Sequence, residues 1–396
     1  MSANSERPVI SGAGPGGLAV AWALKDLGKE PILLDREQTT CSSWQTYYPS
    51  LRMNSWRRLS HLPGMTIPAE YGPWPMRNDF INYMKRYVKE LEPDIRFGTE
   101  VHRVDRVGDR WTVRTSGGDL STEHVVVDTG LHRKPHVPDW PGLEDFEGEF
   151  IHARDYTVPD PFVGKDVLVV GVGPSGIDIA VELGRAGASR VRLSVRHTPV
   201  LFKLSPVTSL LSQAIKHGPL PHWLVNRVSL AMHRARWGDL TRYGLTNPTE
   251  GTMAGTKRSG HTNGSIDRGL IPAIQDGLVE AVPGVVAFDR KAVLLDGDIS
   301  IKPDVVIAAT GQRPDMERLL GHLDVLAAPG GRPIVHGART APHAPNLYFQ
   351  GYRLPPGQIP DMAVDARSIA RAISGRSRRT VSGFTRPAFA LAGGKP

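Results

Sequence analysis

The chain has 396 residues, beyond the roughly 250–300 at which one hydrophobic core stops growing, so two domains are expected. With 40% apolar and 22% charged residues and a net charge of +8, it reads as a folded globular chain, not a disordered tail or a coiled coil. Its one cysteine, Cys41, excludes an intrachain disulfide and any redox dithiol.

In chain order, Pro8 to Gly12 reads as a short buried strand, and the glycines Gly12-Ala13-Gly14-Pro15-Gly16-Gly17 open a helix that Gly28 stops. A second strand from Pro31 to Leu34 leads to Asp35. A Trp/Pro/Arg-rich stretch over 42–78 precedes a helix from Asp79 to Leu91 and an alternating strand over Trp111–Arg114. Val167–Val170, the turn Gly171-Val172-Gly173-Pro174-Ser175-Gly176 and a helix from Ile177 to Arg185 repeat the first design, 159 residues on, with a strand at Val191–Val195. Residues 199–258 form a helical insertion that includes His222 to Trp237. From Arg196 to Arg258 it holds nine Lys/Arg against Asp239 and Glu250. Such a basic block suits nucleic acid, an acidic membrane surface or a small anionic ligand, and the last fits the rest of the chain best. A buried strand over Asp304–Ala309 and a helix from Ala363 to Ile373 complete the pattern.

Each glycine turn has the chemistry of a dinucleotide site. The first glycine permits a tight turn, the second lets backbone approach a pyrophosphate, and the third lets helix pack on strand. The phosphates then rest on unpaired amides of the helix N-terminus. Asp35, ending the next strand, suits the ribose hydroxyls of an adenine dinucleotide. Carried forward without a gap, the same offset puts Ser194 at the place of Asp35, with Arg196 two residues on. An absent carboxylate and a nearby guanidinium favour a 2′-phosphate, hence NADPH. Arg36 follows Asp35 in the first copy, so the missing acid carries more of this argument than the arginine. One acid-type and one arginine-type turn in a single chain point to FAD in the first unit and NADPH in the second.

The linker Phe146-Glu147-Gly148-Glu149-Phe150-Ile151-His152-Ala153-Arg154-Asp155-Tyr156 matches F-x-G-x-x-x-H-x-x-x-(Y/F) at every fixed position, and so resembles the fingerprint of flavin-containing monooxygenases. Ala309-Thr310-Gly311-Gln312-Arg313-Pro314 resembles the family's A-T-G-Y-R-P linker, with Gln312 in place of the aromatic residue. The pattern Gly238-Asp239, Tyr243-Gly244-Leu245, Pro248, Gly251, Gly260 and Ile266-Asp267-Arg268-Gly269 is similar to plant YUCCA-type enzymes and their bacterial relatives. The resemblance implies an FAD- and NADPH-dependent monooxygenase that forms a C4a-hydroperoxyflavin and passes oxygen from O₂ to a small nucleophile. Tyr48-x-x-Leu51-x-x-Asn54 resembles the stretch whose Asn lies over the flavin, which makes Asn54 the candidate catalytic residue; a loop-capping Asn is the bland alternative. Trp44 packs either on the flavin or in the core, Asp267 faces either the nicotinamide or a turn, and His152 and Tyr156 are read as pins of the linker.

The expected fold is therefore α/β, with two Rossmann-like dinucleotide-binding domains. The FAD domain (1–162 and 306–396) is split around the NADPH domain (163–305). The cofactor-binding set is Gly12, Gly14, Pro15, Gly16, Gly17, Asp35, Arg36, Trp44, Gly171, Gly173, Pro174, Ser175, Gly176, Arg196, Thr310 and Gly311. No metal and no nucleic acid are expected. The partners are O₂ and a small substrate bearing sulfur, amine nitrogen, indole or a 2-oxo acid, and a homodimer stays open. No apolar run approaches the roughly 18 residues that cross a bilayer, and the polar start shows no signal peptide, so no integral membrane contact and a cytoplasmic location are expected. A dehydrogenase or oxidase without oxygen transfer is the alternative activity. The insertion is a core helix with a solvated basic face, a lid over substrate, or a membrane-surface patch.

Overall fold

The computed structural model describes residues 6–217, 221–259, 264–327, 331–353 and 358–375; the end of the expected first domain beyond Gly375, and Gly260, lie outside them. The chain opens with strand β1 (Val9–Ser11), helix α1 (Pro15–Lys25), strand β2 (Ile32–Leu34), helix α2 (Arg77–Leu91), and strands β3 (Asp94–Arg96) and β4 (Val125–Val127). It continues with β5 (Glu149–His152), β6 (Asp166–Val170), α3 (Pro174–Ala186), β7 (Arg190–Ser194), β8 (Val200–Lys203), α4 (Pro206–His217), α5 (His222–Trp237), α6 (Thr252–Ser259), β9 (Gly264–Asp267), β10 (Glu280–Val282), β11 (Val305–Ala308), β12 (Leu347–Phe349) and α7 (Gln358–Ile373).

Two parallel five-stranded sheets organise the molecule, in the orders β12-β4-β1-β2-β3 and β10-β7-β6-β11-β5. Strands β1, β2, β4, β6 and β11 are nearly continuous apolar runs because both faces are covered, as parallel sheets require; β7, with Arg190 and Arg192, is the exception among the inner strands. Helix α1 is buried along nearly its whole length, between its sheet and α7, and Trp22 packs on Tyr87 of α2 with ring centroids 4.7 Å apart. Pro15 and Pro174 occupy the first helical position, where a missing N–H costs nothing.

β11 pairs with both β5 and β6 in the second sheet, so the strands around the expected limits at 162/163 and 305/306 share one sheet. The partner strand of β5 lies 156 residues on, with Glu149 opposite Val305. The two units also differ by one residue from the gapless offset of 159, which puts Ser194 at the place of Asp35. Gly12 N–H donates to Leu34 O (2.8 Å), and Gly171 N–H to Ser194 O (3.1 Å), so Ser194 matches Leu34, not Asp35. The second copy is one residue longer between turn and strand end. Val195 therefore stands at the place of Asp35, and the carboxylate is still missing.

Candidate active site

The two glycine turns lie on one cavity of roughly 1320 Å³. Its wall includes Gly12, Gly14, Pro15, Gly16, Asp35, Arg36, Trp44 and Asn54 from the first unit, and Gly173, Pro174, Ser175 and Gly311 from the second unit and its linker. Gly17, Gly171, Gly176, Arg196 and Thr310 are not on that wall.

The glycines divide into two kinds. A Cβ on Gly17 would lie 2.0 Å from Gly12 O, and one on Gly176 would lie 1.9 Å from Gly171 O, so these two serve helix-on-strand packing. Gly12 (φ +119°) and Gly171 (φ +113°) occupy backbone conformations that favour glycine, and a Cβ on them would strike the carbonyls of Asp128 and Ala309. Gly14 and Gly173 have ordinary negative φ. A Cβ on Gly173 meets nothing within 4 Å, and one on Gly14 meets only Asp128 Oδ2 at 3.6 Å. The emptiness beside these two is a cradle that a dinucleotide pyrophosphate fits. Three buried polar atoms of cavity-lining residues, Ser265 Oγ, Gln312 Oε1 and Arg332 Nη1, have no hydrogen-bond partner among the described residues, as in a site whose ligand completes them.

Asp35 accepts from Ala13 N–H through Oδ2 (2.8 Å) and from Glu37 N–H through Oδ1 (3.0 Å), which fixes the carboxyl at the cavity edge. Burial raises its pKa, against those two amides. Arg36 is exposed and paired with Glu37 at 3.1 Å. Trp44 lines the cavity and packs on Phe80 with ring centroids 4.3 Å apart. Arg196 is exposed just past β7, with no ion pair among the described residues, and stands off the cavity wall.

Asn54 reaches the cavity with its Oδ1 already committed. Arg268 Nη2 donates to Asn54 Oδ1 (2.7 Å) and to the carbonyls of Arg52 (2.8 Å) and Met53 (3.2 Å). Arg268 Nη1 also lies 3.5 Å from Asp178 Oδ2 on α3, which accepts from the Tyr48 hydroxyl at 2.9 Å. Burial pushes the Asp178 pKa up, partly offset by Arg268 and Tyr48. The residue after Asp267, quoted only as part of a pattern, is thus a clasp between the two units. Its signal was an arginine in an otherwise apolar and acidic motif. Asp267 itself caps a turn, accepting from Gly269 and Leu270 N–H at 3.1 and 2.7 Å.

The linker residues are pins. His152 Nε2 lies 3.1 Å from Gly311 O, Tyr156 donates to Glu182 at 2.8 Å, and the Thr310 hydroxyl donates to His136 O. Burial lowers the pKa of His152, which keeps its ring neutral near pH 7. The insertion's α5 turns Val225, Val228, Ser229 and Met232 to the cavity and leaves Arg227, Arg234 and Arg236 exposed. It is anchored by Leu201 N–H donating to His233 Nδ1 (3.0 Å) and by Trp237 Nε1–H donating to Leu201 O (3.2 Å). Among the described residues, no group of His, Cys, Asp or Glu could hold a metal ion, and no helix is long and apolar enough to cross a membrane.

Two nucleotide cradles on one cavity define a flavin- and nicotinamide-dependent oxidoreductase. The family described as pyridine nucleotide-disulphide oxidoreductase matches residues 9–218, and Cys41 alone leaves the disulphide part of that chemistry without its dithiol. The chain is 33% identical over 339 residues to the probable indole-3-pyruvate monooxygenase YUCCA3 of Arabidopsis thaliana, covering 82% of this chain and 77% of that protein. It is also 33% identical to the indole-3-pyruvate monooxygenase YUCCA1 of Oryza sativa subsp. japonica, over 78% of this chain and 77% of that one. In fold it is similar to a flavin-containing monooxygenase from Stenotrophomonas maltophilia, with a TM-score of 0.70 and 23% identity over 94% of this chain and 99% of that one. The chain belongs to the flavin-containing monooxygenase family. It is an FAD- and NADPH-dependent monooxygenase acting on a small substrate.

Proposed function

We propose that the Gly12–Gly17 cradle with Asp35 holds FAD, and that the Gly171–Gly176 cradle with Arg196 holds NADPH. On this reading the FAD unit, made of β1–β4, β12 and α7, is split around the NADPH unit. The observation that carries it is the single cavity that joins both cradles, Asn54 and the apolar face of α5. When bound, FAD supplies the two-electron carrier that NADPH reduces and that O₂ reoxidises, with one oxygen atom going to substrate and one to water.

The protein's own part is orientation and exclusion of water. Arg268 occupies Asn54 Oδ1, so the Asn54 amide N–H₂ is left to donate into the cavity toward oxygen bound there. Val225, Val228 and Met232 wall off water, which would otherwise divert reduced oxygen to H₂O₂. We further propose that the substrate is a 2-oxo acid with an apolar aromatic body. The relatives' printed activity supports this, as do the apolar wall of α5 and Phe202 and the cationic Lys203 and Arg52 on the same cavity. The test compares substrate-dependent NADPH consumption with indole-3-pyruvate, indole, a thioether and a tertiary amine, using ¹⁸O₂ to follow oxygen into product. Label incorporation from the 2-oxo acid alone is expected. Labelled product from the thioether or amine, with none from the 2-oxo acid, overturns the substrate class. NADPH oxidation that yields only H₂O₂ with all four overturns the role given to Asn54 and the wall.

A further inference from the structure

The duplication inside the chain supplies its own control for one residue. The chain leaves β4 through Asp128-Thr129-Gly130 and leaves β11 through Ala309-Thr310-Gly311. The two segments occupy equivalent places: a Cβ on Gly12 would strike Asp128 O at 2.1 Å, and one on Gly171 would strike Ala309 O at 2.6 Å. A methyl group therefore suffices for packing at the second cradle. At the first, the same place carries a carboxyl group, buried at 7% exposure and set into the glycines of the dinucleotide turn. Its Oδ2 accepts from Gly17 N–H at 2.5 Å and lies 3.6 Å from the point where a Gly14 Cβ would project. Its Oδ1 lies 2.4 Å from the corresponding point of Gly16 and 3.0 Å from that of Gly351.

We propose that Asp128 is a flavin-binding residue that works as a neutral carboxylic acid, donating a hydrogen bond to the phosphates of the dinucleotide held by the first cradle. The inference rests on the placement of FAD in that cradle. Oδ2 is already an acceptor, so the proton rides on Oδ1. An ionised carboxylate in the same place would bring a third negative charge against two phosphates in a desolvated pocket, whereas the acid supplies a donor.

The surroundings favour the acid. Burial is the largest influence and drives the Asp128 pKa well above the carboxylate range; the Asp35 carboxylate adds to it, and only the Gly17 amide opposes. The other titratable groups facing Asp128 are Cys41 and Tyr352, and burial raises both of their pKa values, so they stay neutral through pH 9. Two incoming phosphates favour the proton further. The sign follows: affinity for FAD is full where Asp128 is protonated in the free protein and is lost as pH rises through its pKa there, by up to about tenfold per pH unit.

The test is FAD affinity of the apoprotein by flavin fluorescence quenching from pH 6 to 9, for wild type, Asp128→Asn and Asp128→Ala. Folding of each apoprotein is checked by circular dichroism; Ala309 shows that a methyl fits this position. Wild-type affinity is expected to hold wherever Asp128 stays protonated in the apoprotein and to fall, by up to about tenfold per pH unit, only above its pKa there. Asp128→Asn, which keeps a donor without a charge, should match wild type at pH 6 and stay level to pH 9. Asp128→Ala should also stay level, but bind more weakly than Asp128→Asn. An Asp128→Asn variant that binds FAD no more tightly than Asp128→Ala at pH 6 overturns the proposal. So does a fall with pH that persists in the variants, which would assign the titration to Asp35. Should Asp128→Ala not fold, Asp128→Asn against wild type at pH 6 still decides, and a loss of affinity beyond about tenfold overturns the proposal. Failure of every form to bind FAD at any pH would instead overturn the placement of the cofactor.

Discussion

Asn54 depends on a neighbour from the other unit for its orientation, and that dependence makes its role testable apart from folding. Asn54→Ala should bind FAD and be reduced by NADPH at the wild-type rate, then release most reducing equivalents as H₂O₂. One lost hydrogen bond of about 1–3 kcal/mol shifts that partition by roughly five- to a hundredfold, read by peroxide assay against NADPH consumed. An unchanged partition would leave Asn54 as a loop residue. Arg196 is tested by cofactor choice. Arg196→Ala should raise the KM for NADPH roughly ten- to a hundredfold, the worth of a charge-assisted phosphate contact, and leave that for NADH nearly unchanged. Equal losses for both donors would show that the arginine does not read the 2′-phosphate. Residues of this kind were open to proposal from sequence because their chemistry is local: a strand end lacking an acid, a motif ending in Asn. Asp128 and Arg268 were not, since nothing near either in sequence states that one falls into a glycine turn 111 residues away or that the other clasps Asn54.

At the level of the elements, the turn–helix units came out of the sequence nearly whole, because glycines, proline and apolar runs specify them within about 30 residues. What failed was counting across an insertion. The extra residue between Gly171 and the end of β7 shifted the match from Val195 to Ser194, and only strand register reveals it. The units also make an internal prediction about like-looking glycines. Gly173→Val should fold with an unchanged Tm and stay yellow, yet no longer be reduced by NADPH, because its side chain enters only the cradle. Gly176→Ala, a smaller change, should lower Tm, since its methyl meets a carbonyl at 1.9 Å and relieving it costs about 1–3 kcal/mol. Thermal unfolding beside stopped-flow flavin reduction separates the two. The reverse pattern would mean that Gly173 serves packing and Gly176 the cofactor.

At the scale of the molecule, Arg268 and Tyr48 tie the first unit's loop to Asp178 on α3, so the geometry between the cradles is held by a few polar contacts, half-buried at Asp178 and exposed at Asn54. Arg268→Ala should leave Asp178 buried without its cation and raise its pKa further. In an acid so raised, the penalty is relieved by protonation. The Tm deficit of the variant relative to wild type should therefore shrink as pH is lowered from 7 toward 5. Peroxide release should rise with it; a deficit independent of pH would place the stabilisation in the backbone contacts to Arg52 and Met53 instead. The order of the strands has one more consequence. β12 closes the edge of the first sheet against β4, and α7 covers α1, yet both follow the whole second unit in the chain. During synthesis, then, the second sheet has all five of its strands outside the ribosome while the first still waits for its last strand and its covering helix. The unit that is begun first is finished last, and its glycine cradle must wait, incomplete, for residues 347–373 to arrive.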